Sequence, residues 1–317
     1  MSSLKRSCHL FAALCVMCFA ASAALAQITT PRASQKASVM QRIGVTDVTI
    51  TYSRPGVKGR TIWGDPLPEQ QKVTGEATLD NQMERPKGAP IVPWGHMWRT
   101  GANEATQFVV TDDVLINGQK LPAGTYNLHT IPTKNEWTIV FNTAANQWGS
   151  FNYDQSKEAL RVKTKPEWVQ TNQEWLAYTI DPVTDDSAQV NIRWEKVSVP
   201  FTVKVPDVAA VTLAKLKKTV SEAKPDDWRT PMQAGTYLIQ GNDNAEDDEQ
   251  GLAWIDQSIK VKETFDNLRN KANALYKLGK KEEAFAVAEQ AIQRGKADKA
   301  DTSAFEKRLA DMKAGKI

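Results

Sequence analysis

The hydrophobic pattern of this chain changes its period once, near Val205, and that change limits what the sequence can fold into. Over residues 34–205, apolar residues alternate with polar ones in short stretches, as at Val48, Ile50 and Tyr52, so that one face of each strand is apolar. Beyond Val205, apolar residues recur at the spacing of an amphipathic helix. The sequence therefore predicts an all-β domain followed by an all-α region.

Turn-forming residues in the β half favour a particular architecture. Asn117-Gly118 has the composition of a type I′ hairpin turn, and Pro122-Ala123-Gly124 marks a second turn. Many short strands separated by such turns predict a β-sandwich or a flattened barrel. Residues 64–93 interrupt the pattern with prolines and mixed charges, and we expect an irregular insertion there, either a solvated loop or a lid over a site.

The helical half contains a linker and a weak repeat. Residues 206–224 predict an amphipathic linker helix, and residues 226–317 predict an α-helical domain. Residues 249–259 align with residues 282–292 at an offset of about 33 residues, so this domain resembles two tetratricopeptide-like units with a capping helix over 302–313. Two units are too few to bury their own apolar faces, so we expect them to pack on the linker helix, on the β domain or on a protein partner.

Residues 1–26 have the features of a cleaved secretory signal peptide. Lys5 and Arg6 precede an apolar run, and Ala24-Leu25-Ala26 offers a cleavage site. We therefore expect a periplasmic or secreted protein with no membrane span after cleavage. All three cysteines lie in this segment, so the mature chain would have neither disulfides nor thiol chemistry.

Charge and motifs narrow the classes of function. Removing Lys5 and Arg6 lowers the formal net charge of +3 by two, and no basic stripe stands out, which disfavours nucleic-acid binding. The sequence has no Gly-x-Ser-x-Gly elbow, phosphate-binding loop, dinucleotide fingerprint or His-Glu-x-x-His helix. We therefore predict no cofactor and favour a binding protein over an enzyme.

The densest group of chemically capable side chains lies in residues 93–106, with further cations upstream. Arginine offers a planar fork of donors for a carboxylate or phosphate, and tryptophan offers a flat face for a sugar ring or a cation. Together with Trp63 and Trp94, this group suits an anionic or sugar-bearing ligand. The candidate ligand-binding residues are Arg54, Lys58, Arg60, Trp98, Arg99, Asn103, Glu104 and His129.

Two other interpretations of these residues are open. In the first, Arg99 pairs with Glu104 or another carboxylate while the tryptophans fill the core of the β domain. In the second, His96 and His129 join Glu104 in a metal site made of two histidines and one carboxylate. The two histidines lack a local ligand spacing, and we predict no metal site.

Five ordered motifs lie in the β half. They occupy residues 53–60, 98–106, 121–126, 135–142 and 148–154. Over residues 35–205 they resemble the DUF2911 family, whose function is unknown, so the resemblance implies no catalytic residue and no substrate. The family has a short link in place of residues 64–93, and it usually has Tyr and Lys where Trp94 and His96 stand here. The resemblance therefore does not make His96 a family-wide catalyst.

These observations lead to three hypotheses of function. The first is an exported binding protein whose β domain takes a small polar, anionic or glycan ligand and whose helical repeats dock a protein. The second is a hydrolase of envelope or extracellular polysaccharide that uses a carboxylate pair, with Asp154, Glu158, Asp185 and Asp186 as nominal candidates. The third is a purely structural envelope protein whose motifs serve only packing and turns.

Overall fold

The computed structural model of this chain contains a β domain followed by helices, as the sequence predicts. The structure describes residues 30–68, 87–144, 147–151, 153–241 and 244–317. The predicted signal peptide, residues 1–26, lies outside the described residues. So does the central part of the predicted insertion, residues 69–86, and with it the prediction of a solvated loop or lid.

The strands of the β domain form two antiparallel sheets and one small parallel pair. Their bounds are β1 Gln35–Ile43, β2 Thr46–Arg54, β3 Trp63–Gly64, β4 Val92–Pro93, β5 Thr106–Val110, β6 Val114–Ile116, β7 Gln119–Leu121, β8 Gly124–Pro132, β9 Trp137–Asn142, β10 Glu158–Thr164, β11 Glu167–Thr184 and β12 Ser187–Lys204. The six-stranded sheet has the order β1-β2-β5-β8-β9-β10, and the four-stranded sheet has the order β11-β12-β6-β7. The short strands β3 and β4 pair in parallel.

The two large sheets share one apolar core. The alternating residues Val48 and Ile50 of β2 turn inward, and with Phe108 of β5 they join Val190 and Ile192 of β12 in a single buried cluster. Alternation at period two therefore places one face of each sheet in the core, which makes the domain a β-sandwich. The predicted hairpin is confirmed as well, because Asn117 and Gly118 adopt φ angles of 46° and 82° between β6 and β7.

An irregularity in the ladder between β11 and β12 shapes one side of the domain. The register shifts on both sides of the pair Gln173 and Glu195. Over this stretch β11 contacts the loop that follows β2: Gly56 forms a β-bridge with Trp175, and the backbone N–H of Val57 donates to the carbonyl of Glu174 at 2.8 Å. The loop after β2 is thereby fixed to the second sheet.

The helices begin directly after β12. Their bounds are α1 Val208–Ser221, α2 Arg229–Gly241, α3 Ala245–Val261, α4 Phe265–Lys277, α5 Lys281–Ala297 and α6 Ser303–Lys313. Helix α1 lies within residues 206–224, where the sequence predicts a linker helix. Asp207 caps this helix, because its side chain accepts a hydrogen bond from the backbone N–H of Ala210 at 2.8 Å. Val208 and Val211 pack against the core of the sandwich, so α1 is docked on the β domain.

The remaining helices pack as two consecutive pairs followed by α6. Helix α2 crosses α3 at two glycines, Gly235 and Gly251, and α4 packs on α5 around the fully buried Ala272, Ala288 and Ala291. These small residues allow the helices to approach each other closely. The assignment of these pairs to tetratricopeptide-like units stays a prediction.

Candidate functional site

Half of the predicted ligand-binding residues line one cavity of about 320 Å³, which we call the arginine pocket. Its lining is Ser34, Pro55, Arg60, Ile91, Trp98, Arg99, Gly101, Ala102, Asn103 and Trp194. Two guanidinium groups and two indoles thus meet at one place, although they come from different parts of the chain. Among the described residues, this lining has no Asp or Glu, and Arg60 and Arg99 bring positive charge to the cavity.

The loop that carries Arg99 is held in a defined shape. Trp98 exchanges backbone hydrogen bonds with Thr130 of β8, at 2.8 and 2.9 Å. Thr100 and Asn103 then adopt left-handed φ angles of 53° and 60°, which turn the chain back on itself. Across this turn the Nη1 atom of Arg99 donates to the carbonyl of Asn103 at 2.7 Å, so the guanidinium is oriented in advance.

Arg60 reaches the pocket from the loop after β2. Its Nε atom donates to the carbonyl of Val57 at 3.2 Å, and its Nη2 atom donates to the carbonyl of Gly56. The same Gly56 is tied to Trp175 of β11 by the β-bridge. Arg60 is therefore positioned by the irregular part of β11, while its side chain stays exposed.

Two predicted cations lie outside the arginine pocket. The Nε atom of Arg54 donates to the carbonyl of Leu176 at 2.8 Å, which joins β2 to β11. The Nζ atom of Lys58 lies 5.3 Å from the ring centroid of Trp175 as a cation–π contact. Both side chains thus hold the two sheets together near the pocket instead of lining it.

Glu104 is a predicted ligand-binding residue, and one interpretation of the sequence pairs it or another carboxylate with Arg99. Its carboxylate pairs with Arg32, at 2.6 Å between Arg32 Nη1 and Glu104 Oε1. Burial raises the pKa of the Glu104 carboxyl, but the hydrogen bond and charge of Arg32 outweigh burial and hold this pKa below its usual value. Glu104 stays ionised and fastens the segment before β1 to the loop before β5.

His129 is fully buried on β8, away from the arginine pocket. Its ring lies edge-on to Tyr153, with the ring centroids 5.1 Å apart. The Tyr153 hydroxyl donates to Glu158, and burial together with that carboxylate raises the pKa of Tyr153. Burial raises the pKa of Glu158, but hydrogen bonds from Arg161 and Tyr153 leave it below its usual value. His129 therefore belongs to a buried polar cluster under the six-stranded sheet.

A second and larger cavity, of about 740 Å³, lies on the other side of Arg60, and we call it the tryptophan cleft. Its lining is Gly59, Arg60, Thr61, Ile62, Trp63, Gly64, Asp65, Trp94, Lys134, Asn135, Trp168 and Glu195. Arg60 lines both cavities, so the arginine pocket and the tryptophan cleft adjoin at this residue.

The indoles of the cleft form a connected series that starts in the core. Trp63 meets the core residues Trp98 and Trp194 edge-on, with centroid distances of 5.6 Å to each. Trp63 also stacks on Trp94 at 5.9 Å with the rings 10° from parallel, and Trp94 meets Trp168 at 6.4 Å and 75°. Because Trp168 is 55% exposed, the series ends in an accessible indole face.

The polar side chains of the cleft carry both signs of charge. Lys134 lies 3.6 Å from Asp65, measured between Nζ and Oδ2, and both side chains are well exposed. Glu195 of β12 stands where the ladder is irregular and has a left-handed φ of 53°. A non-glycine residue in that region is strained, and strain of this kind clusters at functional sites. Arg60 adds the second cation.

The four carboxylates that are nominal candidates for the catalytic pair of a hydrolase have other roles. Asp154 caps the 3₁₀ turn over residues 155–157, and Glu158 pairs with Arg161. Asp185 and Asp186 form the turn between β11 and β12, as the sequence indicates. Neither cavity beside Arg60 contains any of these four acids, and Asp65 and Glu195 are the acids that line the tryptophan cleft.

The proposed metal ligands do not come together either. His96 is buried, and its Nδ1 atom lies 3.0 Å from the carbonyl of Trp94, within hydrogen-bond distance. Among the described residues, no group of three or more His, Cys, Asp or Glu side chains is arranged to hold a metal ion, and His96, His129 and Glu104 form no such group. No helix within the described ranges has the length and apolarity that crossing a membrane requires.

The tryptophan cleft was only partly visible in the sequence. Trp63 and Trp94 stand out beside the candidate cations, but Trp168 and Glu195 lie on β11 and β12, far away along the chain. The one local signal was the break in alternation around Trp168, where polar residues follow one another between two apolar stretches. Such a break indicates an irregular strand without indicating which loop it contacts.

Of the comparisons with known proteins, the one with family models gives a match. No curated protein and no solved structure matches the chain. A family model described as "Protein of unknown function (DUF2911)" matches residues 34–203, which include both cavities beside Arg60. Since this match covers more than half of the chain, the protein belongs to the DUF2911 family.

Proposed function

We propose that this protein is an exported glycan-binding protein whose β domain holds a saccharide in the tryptophan cleft. The observation that carries the proposal is the indole pair Trp94 and Trp168, whose rings stand at 75° to each other in an open cavity of about 740 Å³. Ligand sites are concave, rich in aromatic side chains and supplied with a few polar groups, and this cleft has all three properties.

The aromatic faces suit the C–H faces of pyranose rings. Indoles bury a large apolar area at little cost in conformational entropy, which favours them in sites that bind partly apolar ligands from water. Trp94 is backed by Trp63, which in turn packs on the core, so the platform is rigid. A rigid platform lowers the entropic cost of binding.

The polar groups suit sugar hydroxyls. Arg60 and Lys134 supply donors, while Asp65 and Glu195 supply acceptors on the same cleft. Hydroxyls both donate and accept, and a mixed set of this kind binds them better than a set of one sign.

The helical half is proposed to dock a protein. A groove of about 210 Å³ between α2, α4 and α6 supports this, because Asn270, Asn273 and Arg308 give it polar side chains that suit a peptide backbone. Chemical cross-linking of the full chain in an envelope fraction tests it. The Asn270→Ala/Asn273→Ala protein should lose a cross-linked partner that the wild type and the Trp168→Ala protein both keep. Identical cross-links in all three would contradict the docking proposal.

Hydrolysis of a polysaccharide is the second candidate, because Asp65 and Glu195 line the same cleft. Most glycosidases use two carboxyl groups that flank the bond to be cleaved. The test is release of reducing ends from soluble polysaccharides by the wild type, Glu195→Gln and Asp65→Asn proteins. Turnover that both substitutions abolish would favour the hydrolase, and no turnover in the wild type alongside binding would favour the binding protein.

A purely structural role is less well supported. That hypothesis expects the arginines to be closed in ion pairs with no cavity beside them. Arg54 and Arg60 instead donate to backbone carbonyls, and two cavities adjoin at Arg60.

An oligosaccharide array followed by calorimetry tests the proposed function. We expect the wild type to bind at least one oligosaccharide, and Trp168→Ala to weaken that binding at least tenfold. Trp148→Ala is the matched control, because Trp148 is 52% exposed but lies outside the cleft. Binding that is equal in the wild type and in Trp168→Ala, or no binding to any oligosaccharide, would contradict the proposal.

A further inference from the structure

We propose that the arginine pocket is an anion subsite and that the glycan of the tryptophan cleft is therefore an acidic saccharide, with its carboxylate or sulfate group between Arg60 and Arg99. This inference rests on the proposed function and specifies its class of ligand. It depends on three features of the described residues: the charge of the pocket, the wall of the pocket and the position of Arg60, which lines both the pocket and the cleft.

The charge of the two cavities differs. The tryptophan cleft has two cations, Arg60 and Lys134, and two acids, Asp65 and Glu195. The arginine pocket has Arg60 and Arg99 and, among its lining residues, no acid. Arg60 is shared, so the described lining residues of the two cavities together have three cations and two acids, and both acids lie in the cleft. For a ligand that spans both cavities, an anionic group is therefore stabilised at the end that lies in the arginine pocket.

The wall of the arginine pocket strengthens the interaction with an anion. The indoles of Trp98 and Trp194 stack at 5.7 Å and line the cavity, and both residues are almost completely buried. Low-dielectric walls reduce the screening of the guanidinium charges compared with an open surface. Arg99 is half-buried and is oriented by the carbonyl of Asn103, so little side-chain entropy remains to be lost on binding.

Arg60 is the lining residue that the two cavities share. Its hydrogen bonds to the carbonyls of Val57 and Gly56 use Nε and Nη2, and its side chain is exposed. Guanidinium groups bind carboxylate and sulfate-like oxyanions through a planar fork, which makes two arginines a suitable pair for one acidic group. The sugar ring that bears this group would continue along the indole face of Trp94 in the cleft.

The test compares matched saccharides with the full chain. The probes are uronate-containing tetrasaccharides, the same tetrasaccharides with each carboxyl reduced to a neutral alcohol, sulfated tetrasaccharides, and inorganic sulfate alone, all measured by calorimetry at low and moderate salt. We expect at least one acidic tetrasaccharide to bind ten times or more tightly than its neutral counterpart. We also expect this preference to shrink as salt is raised.

Variants separate the inference from the proposed function. Arg99→Gln and Arg60→Gln should remove most of the preference for the acidic saccharide, and Trp168→Ala should weaken the binding of both saccharides. Arg42→Gln is the matched control, because Arg42 pairs with Asp47 at the far end of β1. If Arg99→Gln unfolds the protein because the hydrogen bond from Arg99 to Asn103 is lost, Arg60→Gln still tests the anion subsite.

The outcomes are distinct. Equal affinity for acidic and neutral saccharides, or an equal loss of both in Arg99→Gln, would overturn the anion subsite while the glycan proposal stands. Binding of inorganic sulfate as tight as that of the acidic saccharides would overturn it as well, because the pocket would then serve a free anion. A saccharide whose binding depends on Arg99 but not on Trp168 would contradict the proposed cleft instead. No binding of any acidic probe would overturn the inference.

Discussion

The indole of Trp98 stacks on that of Trp194 with the ring centroids 5.7 Å apart and the rings 18° from parallel. Trp98 belongs to the loop that carries Arg99, and Trp194 belongs to β12 of the second sheet. The stack therefore ties the loop of the arginine pocket to the core of the sandwich. It also explains why Trp98, a predicted ligand-binding residue, is almost fully buried.

Replacing Trp98 with alanine should destabilise the β domain strongly. The change removes the stack on Trp194, opens a cavity and removes the donor that Trp98 Nε1 offers to the carbonyl of Gly101 at 3.1 Å. Buried Trp-to-Ala substitutions typically cost about 3–5 kcal/mol of unfolding free energy. Urea denaturation measures this, with the exposed Trp148→Ala as the control expected to cost below about 1 kcal/mol. A cost no larger than that of the control would contradict the assigned role.

The crossing of α2 and α3 depends on two glycines. A Cβ atom at Gly235 would lie 2.3 Å from the carbonyl oxygen of Gly251, which is backbone and cannot rotate away. We therefore expect Gly235→Ala to lower the unfolding free energy by about 1–3 kcal/mol, as overpacked substitutions do. Gly241→Ala lies in the same helix with open space around it, and it should be neutral or slightly stabilising. Thermal unfolding of both proteins decides the matter, and equal melting temperatures would refute the close crossing.

The docking of α1 on the sandwich should depend on pH through Asp112. Lys215 of α1 donates to Asp112 at 2.6 Å and also to the carbonyl of Val45. Burial raises the pKa of the Asp112 carboxyl, but the hydrogen bonds from Lys215 and Thr111 outweigh burial, so its pKa lies below the usual value. An acid with a depressed folded pKa stabilises the fold above its unfolded pKa, about 3.9, and this stabilisation is lost as the pH falls through the folded pKa.

Asp112→Asn should therefore cost on the order of 1–2 kcal/mol at pH 7, and the difference from the wild type should shrink below pH about 4. Urea denaturation at a series of pH values measures both effects. Glu222→Gln, at the residue that follows the last residue of α1, is the control, because the contact of Glu222 with Lys218 is exposed and long, at 3.9 Å. A difference between wild type and Asp112→Asn that persists unchanged at pH 3 would contradict the assigned ion pair.

Backbone strain at Glu195 should be measurable by comparing the stability and the saccharide affinity of variants with glycine and alanine at this position. Glycine adopts the observed φ of 53° without the steric cost that other residues have. We expect Glu195→Gly to be more stable than Glu195→Ala by about 1 kcal/mol, while both lose affinity for the saccharide. Denaturation and calorimetry on the two proteins check this. An alanine variant as stable as the glycine variant would show that the backbone at this position is not strained.

The sequence predicted the architecture because periodicity is a local property. Alternation at Val48 and Ile50, the turn at Asn117-Gly118 and the helical spacing after Val205 each depend only on neighbours in the chain. The partners of the arginines were not predictable in this way. Arg54 donates to Leu176, whose position depends on how the irregular part of β11 meets the loop after β2.

The candidate site was predicted in part for the same reason. Arg99 and Asn103 share one turn, so their proximity follows from sequence, and they do line one pocket. Trp168 and Glu195 enter the tryptophan cleft only through the pairing of the long strands β11 and β12, which no local pattern specifies. The sequence shows that Glu104 and His129 have chemically reactive side chains, but the fold uses Glu104 in an ion pair and His129 in a buried cluster.

The central claim is that a saccharide lies on the indoles of the tryptophan cleft. Fluorine NMR of the protein labelled with 5-fluorotryptophan tests it directly, because each of the ten tryptophans gives its own resonance, assigned by single Trp-to-Phe substitutions. On titration with the tightest oligosaccharide from the array, the resonances of Trp94 and Trp168 should shift while those of Trp148 and Trp175 stay in place. Shifts at Trp148 or Trp175, with Trp94 and Trp168 unchanged, would contradict the account.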